Sequence, residues 1–409
     1  MNCRHCQGTE LSPFVDLGYS PPSNAYLTTE QLNEPEIHFP LRVLVCRTCW
    51  LAQTEDFRNS SDLFTHDYAY LSSASTSWLN HAKQYCEQIT EELLLDNKSL
   101  VIELACNDGY LLQNFVNTPI QCVGIEPAQG AALIAKSKGI DVITDFFSDP
   151  VAHKTAATHG KADLIIGNNV LAHVPDINDF VKGVATLLKD DGVATFEFPH
   201  ILQLLEKNQF DTIYHEHFSY LSLYAVQSIF EKAGLTAYRC EEIATHGGSL
   251  RVYGRKSRDG MEVDNSIFRI LGYEVDQGIT NYRMYEEFQE RIDTIRDEFT
   301  AFLVDAHKNQ KTVVAYGAAA KGNTLLNYCG IRNGLVNVAF DKSEFKIDRY
   351  MPGSHIPICQ VDTNALSLAD YVLILPWNLE AEIIAELKDF VNPQCRFVTA
   401  IPSLRIFST

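Results

Sequence analysis

The sequence predicts an α/β protein in three parts: a zinc-binding N-terminal module, a central doubly wound domain and a C-terminal domain with a Rossmann-like core. Three observations carry that prediction. Two Cys-x-x-Cys pairs flank the first fifty residues. Two strand–turn–helix openings, VIELACNDGYLL at 101–112 and VVAYGAAAKGNTLL at 313–326, each head an alternation of strand and helix patterns, which implies parallel sheets. Between them lies an aromatic–histidine run, FDTIYHEHFSY, at 210–220.

Composition narrows the function. The chain has 409 residues, 46% of them hydrophobic, enough for two or three domains with real cores. Its formal charge of −19 argues against a partner that is nucleic acid, which requires a positive footprint. No run of 18 apolar residues and no apolar leader are present, so no membrane partner is expected. The eleven cysteines, mostly scattered, suit a reducing, cytoplasmic setting. A monomer is the default expectation.

The first part spans 1–66. Cys3 and Cys6 form one pair, Cys46 and Cys49 the other, and four thiolates suit a closed tetrahedral zinc site. A redox disulfide, unrelated thiols and a rubredoxin-like iron site are the alternatives. His5 competes as a ligand at poorer spacing. The stretch DLGYSPPSNAYL between the pairs is rich in turn signals, so a metal would supply stability that this segment lacks.

The second part spans 67–240. A helix is expected over 86–95, then strand 99–104, a turn through Asp108 and Gly109, and a helix over 110–116. No G-x-G-x-x-G is present. Glu103 in the strand, Asn107, Asp108 and Gly109 in the turn, Glu126 after strand CVGIE, Asp145 and Phe146 after a third strand, and Asn168 and Asn169 after a fourth are the expected contacts for S-adenosylmethionine. A carboxylate such as Glu126 accepts ribose hydroxyls, and Asp145-Phe146 stands where adenine contacts arise. The competing reading is an NAD site. A helix over 176–188 and a strand over 192–199 complete the unit.

The run after that strand holds Tyr214, His215, Glu216, His217 and Tyr220, with His200 upstream. His173 follows the fourth strand and faces the same crevice. Tyr68 and Tyr70, in LFTHDYAYLSSAS, read as a flap. Imidazoles titrate near neutrality and abstract protons, and tyrosine hydroxyls donate to oxyanions, so an acid–base site is the leading reading. The alternatives are an aromatic packing cluster and a metal site sharing His215 and His217.

The third part spans 241–409. A helical stretch over 281–307 bridges into the second crossover, with further strands at LVNVAFD, YVLILP and RFVTAI. No Walker motif is present. Gly317, Gly322 and Lys321 are candidates for approaching a diphosphate, and Asn323, His246 and Arg251 for lining the cleft. A substrate-assisting domain is favoured over a second cofactor site.

The ordered segments CRHC…CRTC, DYAYLSSAS, ELACNDG, GNNVLAHVPD, FDTIYHEH, HGGSLRVY, YGAAAKGNTLLNY, PGSHIPI and LPWN resemble the S-adenosylmethionine-dependent C-methyltransferases that act on nucleotide-linked 4-keto sugars. The resemblance covers essentially the whole chain. It departs from the family pattern at Ala105, where the family usually has Gly, and at Cys106, where it often has Ser. The resemblance implies a structural zinc, a central methyltransferase domain, a dTDP- or GDP-linked 4-keto sugar as partner, and C3 methylation, with C5 methylation as the alternative. It implies His217 as base, with Tyr214, Glu216, His173 and Tyr68 around the sugar; Tyr70, Asn169, His215, His246, Arg251, Lys321 and Asn323 are the expected substrate contacts. A carbon beside a ketone still resists a histidine base by roughly 12 pKa units, about 16 kcal/mol, so oxyanion donors and a dry pocket must offset most of it. A nucleotide-sugar binding protein without turnover is the reading from a different class.

Overall fold

A computed structural model describes residues 1–57 and 71–408; Tyr68 and Tyr70 lie outside them. The N-terminal part is an antiparallel sheet of β1 (Leu11–Ser20), β2 (Phe39–Cys46) and β3 (Ala52–Thr54). On β2 the inward positions Leu41, Val43 and Val45 alternate with less buried neighbours, the period of a half-buried strand. The fourth strand of this sheet, β9 (Ser219–Tyr220), is the end of the aromatic–histidine run, pairing Tyr220 with Ala52 and Ser219 with Gln53.

The four sulfurs of Cys3, Cys6, Cys46 and Cys49 lie within 4.8 Å of one another, two pairs at 3.5 Å. A tetrahedron with Zn–S bonds of about 2.3 Å has sulfurs about 3.8 Å apart, so the set fits a structural zinc ion with no vacant position. His5 is not a ligand: its nitrogens bond Asn178 Oδ1 at 2.8 Å and Ser228 Oγ at 3.0 Å. Arg4, in the same knuckle, donates to the carbonyls of Pro175 and Thr54. The metal therefore fixes a loop that grips the central domain.

The central sheet has seven strands. Parallel β4 (Leu100–Leu104), β5 (Gln121–Ile125), β6 (Asp141–Ile143), β7 (Ala162–Asn168) and β8 (Leu188–Pro199) are followed by the antiparallel hairpin β10 (Leu235–Ile243) and β11 (Ser249–Lys256), in the order β10-β11-β8-β7-β4-β5-β6. The sheet thus runs to Lys256, with β11 paired to β8 from Ser249 to Gly254. The order reverses between β4 and β7, which opens a crevice at their carboxyl ends. The first helix of this unit begins at Thr76, ten residues before the expected start, capped by the Ser75 side chain. Within the histidine run, residues 213–217 form a turn, with the His217 N–H bonded to the Tyr214 carbonyl at 2.9 Å.

A helix from Phe288 to Lys308 leads to a six-stranded sheet of β12 (Val313–Tyr316), β13 (Ala339–Asp341), β14 (Ile358–Gln360), β15 (Tyr371–Ile374), β16 (Arg396–Thr399) and β17 (Arg405–Phe407), ordered β14-β13-β12-β15-β16-β17. Its own reversal point lies between β12 and β15. A Cβ on Gly317 (φ 83°) would meet Pro376 Cδ at 2.6 Å, and one on Gly322 would meet Leu375 Cδ1 at 2.8 Å. These two glycines allow the close approach of the segment that follows β15. One continuous core joins Val43 and Val45, Phe210 and Ile213, Phe299, and Leu325 and Leu373, so the N-terminal sheet, the histidine segment and the C-terminal domain pack together.

Replacing one ligand, Cys46→Ser, should lower bound zinc from about one ion per chain to near none and lower Tm by about 5 °C or more, as metal analysis and thermal unfolding would read. Unchanged metal content would remove the zinc assignment.

Candidate active site

The turn 213–217 is held from several sides. Thr54 Oγ1 donates to the His217 carbonyl at 3.1 Å, Thr324 Oγ1 to the Ile213 carbonyl at 2.9 Å, and the Phe218 N–H to the Ala172 carbonyl at 2.8 Å. His217 is 8% exposed. Its Nδ1 lies 2.8 Å from the Thr212 carbonyl; a carbonyl only accepts, so Nδ1 carries the proton and Nε2 carries the lone pair. Burial, then the neighbouring His173, holds the His217 pKa well below the ordinary histidine value. The ring lies 3.9 Å from that of Tyr214 and 4.6 Å from that of His173, centroid to centroid.

His173 repeats the arrangement. Its Nδ1 bonds the Glu216 carbonyl at 2.9 Å, and burial lowers its pKa to about 4. With Nδ1 donating to that carbonyl, the lone pair of the neutral ring lies on Nε2. Glu216 is 1% exposed; Oε1 accepts from Asn24 Nδ2 at 3.1 Å, while Oε2 has no partner among the described residues. Burial raises its pKa.

The carboxyl ends of β7, β4, β5 and β6 gather the expected cofactor residues along one edge. Ala105 (φ 55°), Asn107 (φ 50°) and Gly109 (φ 76°) take left-handed conformations. At Ala105 that conformation costs about 1–2 kcal/mol, the physical reason a glycine suits the position. Cys106 fits because Gly124 lacks a side chain, whose Cβ would stand 2.4 Å from the sulfur. Glu126 accepts the Asn107 and Ala128 N–H groups, each at 2.8 Å, and burial pushes its pKa up to about 6. Glu103 Oε2, Asp108 Oδ1, both amide atoms of Asn168 and Asn169 Oδ1 are buried with no partner among the described residues. Native interiors seldom leave such groups unpaired, so the crevice fits a polar ligand of the S-adenosylmethionine kind. Asp145 and Phe146 stand at its rim, Phe146 40% exposed.

The C-terminal domain closes the other side. Lys321 is set over the Trp377 ring at 4.7 Å and donates to Asn378 Oδ1 at 2.7 Å. Burial lowers its pKa, opposed by Asp211, and its charge in turn lowers those of His217 and His246. His246 Nε2 accepts from Asn169 Nδ2 at 3.1 Å. His173, His217, His246, Asn169 and Lys321 thus gather around one cleft.

Three expected substrate contacts are engaged elsewhere. His215 donates from Nε2 to the Pro40 carbonyl at 3.2 Å and packs on Phe39. The Arg251 guanidinium pairs with buried Glu197 at 2.9 Å and covers the Tyr85 ring at 4.3 Å. Asn323 donates to the Ser23 carbonyl at 2.7 Å, with Oδ1 unpaired among the described residues. His200 pairs with Glu274 at 2.7 Å. Sequence reasoning missed Asp211, which accepts from Trp377 Nε1 at 2.7 Å and whose pKa burial raises to about 6. Its only signal was its place beside the histidine run.

The chain is 35% identical over 406 residues to the C-methyltransferase NovU of Streptomyces niveus, covering 99% of this chain and 96% of that one. This chain belongs to the C-methyltransferase family. Family models agree part by part: a putative zinc binding domain matches residues 3–64, a methyltransferase domain 78–239, and a C-methyltransferase C-terminal domain 244–402. A ubiquinone biosynthesis O-methyltransferase of Bordetella pertussis is 30% identical over 98 residues, 24% of this chain and 41% of that protein. The magnesium protoporphyrin IX methyltransferase of Synechocystis, solved with bound SAH, covers 44% of this C-methyltransferase and 85% of its own chain at 16% identity and a TM-score of 0.35, too low to bear on function. The C-methyltransferase uses S-adenosylmethionine, and its zinc is structural. No described helix is long and apolar enough to cross a membrane.

Arg251→Ala would take from the buried Glu197 carboxylate its one permanent cation and leave His81 and Thr245 as its partners. It should destabilise the fold by about 3 kcal/mol in denaturant titrations, the cost of breaking a buried pair, while leaving KM for substrate near wild type in folded protein. A stable variant with a raised KM would return Arg251 to the substrate.

Proposed function

We propose that the enzyme transfers a methyl group from S-adenosylmethionine to C3 of a nucleotide-linked 4-keto-deoxyhexose through an enolate. The observation that carries this reading is His217: buried, neutral, its Nδ1–H tied to the Thr212 carbonyl, and its ring against Tyr214. Bound S-adenosylmethionine would supply an electrophilic methyl group, with Glu103, Asn107, Asp108, Gly109, Glu126, Asn168 and Asn169 holding it and Asp145 and Phe146 at the rim.

His217 Nε2 takes the proton from C3 of the sugar. The C–H electron pair becomes the C3–C4 double bond, and charge moves to the C4 oxygen. Tyr214 donates a hydrogen bond to that oxygen, and Tyr68 is assigned to the same end of the sugar. His173 accepts a hydrogen bond from a sugar substituent, and Glu216 orients the sugar. Lys321, the one described cation of this histidine cluster, faces the diphosphate, with His246 and Asn169 beside it. The carbon then takes the methyl group as the C4 carbonyl re-forms, and the broken S–CH3 bond leaves its electron pair on the sulfur of S-adenosylhomocysteine. The low dielectric strengthens each of these contacts while excluding water. A dTDP- or GDP-linked sugar and a monomeric enzyme complete the reading.

Incubation with dTDP-, GDP- and CDP-linked 4-keto-6-deoxyglucose and S-adenosylmethionine, followed by carbon-resolved NMR, tests it. One panel member should gain a methyl at C3, one per S-adenosylhomocysteine formed. A methyl at C5 would move the site of transfer, and a methyl on oxygen would overturn the enolate. The pH profile tests the base. His217 is active when unprotonated and its pKa lies below 6.5, so kcat/KM should hold level from pH 8 down to about 6.5 and fall only below it. An acid limb centred at or above 6.5 would contradict a buried neutral base.

A further inference from the structure

The N-terminal module reaches the active site through one segment. Residues 22–27 turn back on themselves, with the Ala25 N–H on the Pro22 carbonyl at 3.0 Å and the Tyr26 N–H on the Asn24 carbonyl at 3.0 Å. The C-terminal domain holds this strap firmly. Asn323 Nδ2 donates to the Ser23 carbonyl at 2.7 Å, Ser23 Oγ meets Thr324 Oγ1 at 3.3 Å, and Tyr26 OH donates to the Ala318 carbonyl at 2.6 Å. Thr324 in turn donates to the Ile213 carbonyl at the start of the histidine turn. At the far end of that turn, Asn24 Nδ2 donates to Glu216 Oε1 at 3.1 Å.

We propose that Asn24 is a positioning residue for Glu216, so that the zinc-bearing module completes the active site. This rests on the assignment of the 214–217 turn to the sugar. Asn24 is the only side chain among the described residues that hydrogen-bonds this buried carboxylate. It fixes one oxygen and leaves Oε2 for a donor on the substrate. The same residue's backbone carbonyl receives His173 Nδ1, and the next residue is His217, so the carboxylate stands between both imidazoles along the turn. Without the amide donor the buried carboxylate would keep only the backbone N–H groups of Asn24 and Glu216 to hold its charge, and would turn or take up a proton.

The test is a double-mutant cycle on kcat, with S-adenosylmethionine and dTDP-4-keto-6-deoxyglucose as the probe. Asn24→Ala removes the side chain; Asn24→Asp keeps its shape without the N–H donor. Each is made alone and together with Glu216→Gln, with zinc content and Tm measured on every variant. Both single variants at Asn24 should keep zinc, keep KM for S-adenosylmethionine within twofold, and lose about tenfold or more in kcat. On the Glu216→Gln background the second change should cost less than twofold, because Asn24 acts through Glu216. Wild-type kcat for Asn24→Ala, or an equal loss on both backgrounds, would overturn the proposal. Wild-type kcat for Glu216→Gln would overturn the assignment of the turn to the sugar as well. An impaired Glu216→Gln beside a normal Asn24→Ala would leave that assignment standing and remove this one alone.

Discussion

The hydrogen bond from His217 Nδ1 to the Thr212 carbonyl is the constraint on which the site depends. A surface histidine near neutrality is a mixture of charged and neutral forms and of two tautomers. Here burial removes the charged form and the carbonyl removes one tautomer, so a single state remains with its lone pair on Nε2. Burial also weakens the base. The lowered pKa widens the gap to a carbon acid, and the donors around the ketone must supply the difference.

That requirement explains the construction around five residues. The turn 213–217 belongs to the central domain by sequence, yet its flanks pair with β3 of the N-terminal sheet, its first carbonyl is held by the helix after β12, and its carboxylate is held by the strap at Asn24. The zinc knuckle sends Arg4 to the Pro175 carbonyl, two residues beyond His173. A metal with no open coordination position therefore contributes to the reaction by rigidity alone. The C-terminal domain likewise sets Lys321, held by Trp377 and Asn378, close enough to His217 and His246 for its charge to act on both.

Much of this was legible in the residues. The Cys-x-x-Cys pairs gave the metal cluster, because thiolate spacing encodes it directly. The alternation of strands and helices gave both parallel sheets, and the acidic and amide residues at strand ends fell on one crevice. What the residues do not show is a polar group's partner, which is set by tertiary contacts and not by spacing. Arg251 sits two residues along β11 and finds Glu197 across the ladder; His215 turns toward Pro40; Asn323 meets Ser23, three hundred residues away. The hairpin β10–β11 carries the sheet past residue 240 because pairing with β8 outweighs any break in composition. Asp211 was overlooked since nothing local marks an acid whose partner, Trp377, is 166 positions distant.

Solvent exchange tests the central claim most directly, because it isolates proton removal from methyl transfer. With S-adenosylhomocysteine in the crevice and the 4-keto sugar in deuterated water, the enzyme should wash deuterium into C3, and His217→Asn should slow that exchange about a hundredfold or more while both ligands still bind. Equal exchange by the two proteins would show that the proton leaves to another group, and the account built on His217 would fail.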